Sequence, residues 1–541
     1  MLKNTFIFTL AILFSCSPKK EKVDIIVHHT KICSVDSTFN IYEAMAIKNG
    51  KIVEIDNNQI ILNKYEAKQT INLNGKFIFP GFIDAHCHFT GYASDLWKCD
   101  LTGTKSYEDI LEKIKNYSNS APMYWIYARG WDQNDWELNE YPNKKELDKL
   151  FPSRPVFLKR IDGHAALVNQ VALDLFGINT KTKVKGGSIE LKEGKLTGML
   201  IDNAMDLVDK KIPIISDSLA KKYYKIIEKK CFSFGLTQVH DCGISEKTIE
   251  LIDQEQKNGK LKIKIFALLQ DDPSYYEKWL KKGVYKTERL TVGGFKLYAD
   301  GSLGSRGACL MHPYNDKANW NGFLLNDSYR MNEIAQKLYK SNFQLCTHAI
   351  GDSANRETLK IYALALKTKN NKRWRIEHAQ VLNKSDLKYF DNYSIIPSVQ
   401  PTHATSDMYW AEKRLGKIRI KEAYAYNDLL KAAGCIALGT DFPVEDISPF
   451  KTFYAAVVRQ DSIGFPDKGF QKENALSRKN ALKGMTIWAA YANFEETKIG
   501  SLEKGKMADF IILDTDLLSC NFEKIIKTKV LATYINGEKV Y

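Results

Sequence analysis

A chain of 541 residues has room for one large domain and a smaller companion, and its 44% hydrophobic and 26% charged content argues against a mostly disordered or membrane-embedded protein. The formal net charge of +14 comes from 78 lysines and arginines against 64 acidic residues, scattered along the chain rather than gathered in runs. It reads as a solvated basic surface, with no nucleic-acid motif beside it.

In chain order, Lys3 precedes an apolar stretch from Thr5 to Phe14, then Ser15-Cys16 and a polar run from Ser17. The stretch is well short of the roughly 20 residues of a membrane span, so residues 1–16 read as a leader. Leu13-Phe14-Ser15-Cys16 resembles a bacterial lipoprotein cleavage box, in which Cys16 becomes the lipid-modified first residue; an ordinary signal peptide is the alternative, because Phe14 is bulkier than usual there. Either reading exports the protein: a lipoprotein would face the periplasm from the inner or outer membrane, and the alternative is soluble in the periplasm or secreted. The ten cysteines are widely spaced, many in apolar runs, with no CxxC pair, so buried thiols fit better than a disulfide framework or a zinc knuckle.

Short β-like runs fill 22–78, broken by Asn49-Gly50, and recur over 495–541, with Asn536-Gly537 as a second tight-turn signal. These ends are expected to form one small β-sandwich. Between them, over 79–494, eight short apolar runs recur: 81–86, 236–240, 262–269, 294–298, 343–348, 374–378, 395–400 and 435–441. Most are separated by helix-like stretches. Eight buried parallel strands with helical crossovers predict an α/β fold, a (β/α)₈ TIM-type barrel, although a count of strands leaves an open sheet available. The gap after the first run exceeds a single crossover severalfold and predicts an insertion over about 90–230, containing strand-like runs at 124–129 and 155–158 and a hairpin at 187–200.

His86 and His88 stand two apart, so on a strand both imidazoles share one face about 7 Å apart along the backbone, while Cys87 points away. An HxH alone is weak evidence. Here it ends an apolar strand, and His348, His378 and Asp441 end the fifth, sixth and eighth runs, with Lys296 on the fourth. In a barrel those ends converge on the active site. Nitrogen and oxygen ligands without thiolate suit zinc, leaving manganese, iron and nickel open.

Pro80-Gly-Phe-Ile-Asp-Ala-His86-Cys-His88, Lys296-Leu-Tyr-Ala-Asp-Gly-Ser, Thr347-His348-Ala-Ile-Gly-Asp, Glu377-His378 and Gly439-Thr-Asp441 together resemble the amidohydrolase superfamily, most nearly its YtcJ-like branch, which includes N-substituted formamide deformylases. The resemblance extends to Gly500-Ser-Leu-Glu-Lys-Gly505-Lys-Met-Ala-Asp509. It implies hydrolysis of a non-peptide C–N bond in a small-molecule amide by metal-activated water. It implies one or two divalent ions: His86, His88 and Asp441 at one, His348 and His378 at the other, and a carboxylated Lys296 bridging them, with Asp441 as general base. A lysine pairing with Asp300 or Asp441 is the plainer reading of Lys296.

His164, in Asp162-Gly163-His164, is a substrate or oxyanion contact or a local structural group. Trp131 lines an apolar pocket or packs, Arg306 binds substrate or faces solvent, and His240 ends the second strand at the barrel mouth. His28, His29 and His312 receive no role. The same ligands would serve an esterase or lactonase, and a non-catalytic surface lipoprotein is the reading from another class. Self-association into a homo-oligomer stays open. If Cys16 is the lipid acceptor, Cys16→Ala will abolish incorporation of a radiolabelled fatty acid, and unchanged labelling refutes the assignment.

Overall fold

The computed structural model describes residues 19–121, 123–213 and 215–541, so the leader and Cys16 lie outside it. All eight expected runs are strands: Phe82–Cys87, Leu236–Ile244, Lys264–Leu269, Leu290–Tyr298, Gln344–Ala349, Arg375–His378, Ile396–Val399 and Ala437–Leu438, hereafter the first to eighth barrel strands. Each pairs in parallel with the next. At the seam the eighth strand meets the first without a regular ladder: Asp441 N donates to His86 O at 2.8 Å and His88 N to Phe442 O at 2.8 Å. The chain is thus a nearly closed barrel, the fold its sequence pattern predicts.

Alternation along the strands decides which residues see the lumen. Val239, Ile265, Phe295, Leu345 and Ile376 point outward into the main core shared with the helices, while Cys242, Phe266, Leu268 and Cys346 make a small apolar cluster of their own. The crossovers begin at side-chain caps: Ser245 for Glu246–Lys257, Asp272 for Pro273–Lys282 and Asp327 for Ser328–Tyr339, each accepting an otherwise orphaned N–H of the first turn.

The inserted unit is a six-stranded mixed sheet running spatially from Gly187–Lys192 through Lys195–Asp202, Ala165–Val168, Val156–Arg160 and Ile126–Trp131 to Cys99–Asp100. Both faces are apolar. Ile126, Ala128, Val156, Leu158, Ala165 and Leu167 pack on one side, and Trp125, Tyr127, Phe157, Ala166 and Val168 on the other. The helix Asp217–Ser233, inside the expected insertion range, belongs to the barrel instead: its stripe Ala220, Tyr224, Ile227 and Cys231 is buried in the main core.

The chain ends form two further sheets, the first from the N-terminal end alone and the second from both. One holds Glu21–His28, Ala44–Lys48, Lys51–Asp56 and Tyr65–Asn72; the other combines Lys31–Cys33, Ile41–Tyr42 and Phe77–Pro80 with Phe510–Leu513, Val530–Ile535 and Glu538–Lys539. Val27, Met45 and Ile47 of the first meet Ile32, Ile78, Phe510 and Tyr534 of the second in one apolar cluster. Asn49-Gly50 and Asn536-Gly537 both turn with positive φ, 51° and 73° in each case, the backbone a tight two-residue hairpin needs.

The barrel base is tied to this unit by Lys264 Nζ on Asp509 Oδ2 at 2.5 Å, both side chains buried, with Asp509 Oδ1 accepting Asn536 N at 2.8 Å. Removing one member of a buried pair strands the other charge. Asp509→Ala is therefore expected to lower unfolding stability by about 3–5 kcal/mol, and Lys264→Met/Asp509→Leu to recover most of it, as read by urea denaturation.

Candidate functional site

A cavity of about 1150 Å³ opens over the C-terminal ends of the barrel strands, bounded on one side by the insertion. His88, Lys296, His348, His378 and Asp441 line it, and His86 lies fully buried beneath. His88 Nε2 is 3.2 Å and His86 Nε2 3.6 Å from Asp441 Oδ1. Lys296 Nζ reaches to 3.3 Å from His86 Nε2. The His86 and His348 rings stand 4.8 and 4.5 Å from that of His378.

Three of these imidazoles are held from behind. His86 Nδ1 hydrogen-bonds Glu377 Oε2 at 2.5 Å, His88 Nδ1 donates to Cys242 O at 3.1 Å, and His378 Nδ1 hydrogen-bonds Gln400 Oε1 at 2.7 Å. Fixing Nδ1 as the donor leaves Nε2 as the lone-pair nitrogen facing the cavity, the arrangement metal-binding histidines require. Burial, then the nearby Lys296, depresses His86 to about 4; burial likewise holds His348 and His378 well below the usual histidine value. These rings are neutral donors at physiological pH. Burial opposes ionisation of Asp441, but His403, His88 and His86 outweigh it and hold its carboxyl well below the usual range.

His403 is the principal group that strand-end reasoning missed. It lies just beyond the seventh strand on the helix Pro401–Asp407, stacks on His378 at 5.7 Å, and brings Nε2 to 3.4 Å from Asp441 Oδ2. The available signal was its place three residues after Gln400, which the sequence already set at a strand end. Two groups consequently share Asp441. The ligand atoms of His86, His88 and Asp441 lie within 4.8 Å of one another, and so do those of His378, His403 and Asp441.

His348 is adjacent to the second group but not in it, because its Nε2 turns toward Gly301 O at 3.4 Å and Asp300 Oδ1 at 3.7 Å. Asp300 accepts backbone N–H groups from Cys309, Ile350 and Gly351 at 2.8–2.9 Å, which makes it a loop anchor rather than a partner for Lys296. The donor set fits divalent ions: among the described residues Asp441 Oδ1 and His403 Nε2 are buried without a hydrogen-bond partner, and imidazoles with an ionised carboxylate are the donors zinc and similar ions take. Burial opposes a charge on His403, but Asp441 outweighs it and raises the ring to about 9, so this imidazole would release a proton on binding an ion.

The remaining sequence candidates divide. His164 lines the cavity, its Nδ1 2.7 Å from Asp202 Oδ1 and its ring 5.1 Å from that of His348. Trp131 does not reach the cavity; it is fully buried in the insertion core, its indole N–H donating to Leu158 O at 2.8 Å and its ring against Trp136. His240 lies fully buried inside the barrel, where Arg375 Nη1 donates to its Nδ1 at 2.9 Å, so it has no path to substrate. Arg306 turns aside to Asp316, at 2.8 and 3.2 Å. The nine cysteines at described positions are all free thiols, six of them buried.

Asp441 and His378 both adopt left-handed backbone, φ 62° and 73°, a costly conformation for these residues that is concentrated at functional sites. Gly439 lets the seam close: a Cβ there would stand 2.5 Å from His86 N.

Known proteins resemble this chain over most of its length. The model of the family described as "Amidohydrolase family" matches residues 69–541. The chain is 32% identical to the Arabidopsis thaliana protein LONG AFTER FAR-RED 3, over 96% of this chain and 91% of that one. It is 24% identical to the N-substituted formamide deformylase of Arthrobacter pascens, over 95% and 97%. A crystal structure of a metal-dependent hydrolase from Pyrococcus horikoshii OT3 superposes with a TM-score of 0.75 at 29% identity, covering 92% of this chain and 99% of that one.

Glu377 sets the orientation of the most buried histidine. Glu377→Gln is expected to weaken divalent-metal affinity about 10–100-fold, measured by competition with a chromophoric chelator; wild-type affinity would show that the barrel walls alone orient His86.

Proposed function

Because this chain belongs to the amidohydrolase family, we propose that it hydrolyses a non-peptide carbon–nitrogen bond in a small-molecule amide, N-formyl amide or cyclic amide. The observation that carries the reading is one ionised, buried carboxylate, Asp441, shared by two clusters of histidines at the floor of a large cavity. The formamide deformylase among the relatives supports the choice of bond.

In this reading zinc is held by His86, His88 and Asp441, and a second ion by His378 and His403 with His348 alongside; bound there, such ions polarise a carbonyl and lower the pKa of water toward about 7. Lys296 is carboxylated. As a free ammonium it would place a buried cation beside His86 Nε2, where it repels a metal, whereas a carbamate offers anionic oxygens at the same place. Asp441 takes a proton from the attacking water and returns it to the leaving nitrogen. Burial opposes a charge on His164, but Asp202 outweighs it and raises the ring above the usual histidine value; the imidazolium keeps its second N–H and donates it to the carbonyl oxygen as charge develops there. Export by the leader, with Cys16 as lipid anchor, would place this chemistry at a periplasmic membrane face.

The test is a panel of N-acyl and N-formyl amines against esters and lactones with zinc-loaded protein. Turnover of amines supports the reading; turnover confined to esters and lactones overturns it. Asp441→Asn is expected to lower kcat by about 10²-fold or more, with bound zinc measured in parallel; undiminished kcat would assign proton transfer to another group.

A further inference from the structure

The insertion wall of the cavity carries a feature that the hydrolytic chemistry does not use. Lys98, Arg129 and Lys159 all line it. Arg129 and Lys159 are register partners on adjacent parallel strands, so two like charges stand side by side on one sheet face, an arrangement that costs stability. Lys98 joins them, its ammonium 4.2 Å from the centre of the Tyr127 ring. The carboxylates within reach are two. Asp95 takes Lys98 at 2.6 Å and Arg129 at 3.0 Å, and Asp209 takes Lys159 at 3.0 Å and the Tyr127 hydroxyl at 2.7 Å.

Three cations against two carboxylates leave one positive charge over. The five charged side chains are only 12–24% exposed, so solvent screens that charge weakly. Among the described residues each lysine has a single protein acceptor, although an ammonium has three N–H donors. The cluster adjoins the reaction centre through the turn that carries His164: Arg129 Nη2 donates to Ile161 O at 2.9 Å, and Lys159 Cε lies 3.8 Å from where a Cβ on Gly163 would stand.

We propose that Lys98, Arg129 and Lys159 form a subsite for an anionic group of the substrate, so that the amide cleaved here carries a carboxylate set apart from the scissile bond. This rests on the hydrolytic reading above and deepens it. An unpaired charge placed at the cavity wall has its counter-ion in the ligand, and the cost of crowding three cations is recovered when that ligand binds.

Binding to the full-length, zinc-loaded protein is measured by titration calorimetry with the N-acetyl derivatives of glycine, 4-aminobutanoate and 6-aminohexanoate, each against its uncharged primary amide. At one chain length or more the carboxylate is expected to bind about 10-fold or more tightly than its amide, and Lys98→Met and Lys159→Met are each expected to remove most of that preference. Equal affinity for carboxylate and amide at every length overturns the proposal. So does a preference that survives both substitutions, which would place the carboxylate at the metals. If Lys159→Met fails to fold with Asp209 stranded, Lys159→Met/Asp209→Leu removes the whole pair and is read in the same way. The readout needs no turnover: a lysine-dependent preference without hydrolysis of any amide would overturn the hydrolytic reading alone, and amide hydrolysis without the preference would overturn the subsite alone.

Discussion

Glu377 has no solvent exposure and stands between Arg375 Nε at 2.8 Å and His86 Nδ1 at 2.5 Å, inside a closed ring of strands. A carboxylate in such a place survives only if paired and hydrogen-bonded. Burial pushes its pKa up, but Arg375 and His86 outweigh that and leave it ionised. Arg375 is committed in turn to Ala85 O at 3.2 Å, His240 Nδ1 at 2.9 Å and Cys346 Sγ at 3.1 Å. This network links the first, second, fifth and sixth strands from within, and the floor of the cavity rests on it. His240, which the sequence places at the mouth, is one of its supports.

The seam of the barrel is the second constraint. Asp84, its carboxyl pushed up to about 7 by burial, accepts Thr440 Oγ1 at 2.6 Å, Thr440 N at 3.0 Å and His86 N at 3.1 Å. It joins the end of the eighth strand to the first where the regular ladder stops. The same junction turns Asp441 into left-handed backbone and presents its carboxylate to histidines from the first strand and from the helix after the seventh. Closure and the sharing of Asp441 between two histidine groups are thus one piece of geometry.

The rest of the molecule divides in its chemistry. The barrel supplies reactive groups from strand ends, where the backbone is rigid. The insertion, apolar on both faces of its sheet, contributes a polar edge to the cavity: His164 and Asp202, Arg160 with Asp132 and Asp162, and the cationic cluster.

The sequence alone determined the eight strands, the HxH spacing and the placement of His348, His378, Lys296 and Asp441, because a short apolar run, its terminus and the two-residue repeat of a strand are local properties that one stretch of chain encodes. The two Asn-Gly hairpins were legible for the same reason. Only the tertiary structure decided which nitrogens converge. His403 entered the site through a helix rather than a strand end, His348 turned toward the Asp300 loop, and Trp131, His240 and Arg306 left the cavity for a packed core, an internal support and a surface ion pair. Each of these outcomes depends on partners 10 to more than 130 residues away in the chain, or on the rotation of a ring about its own bond. No pattern within a single segment carries that information.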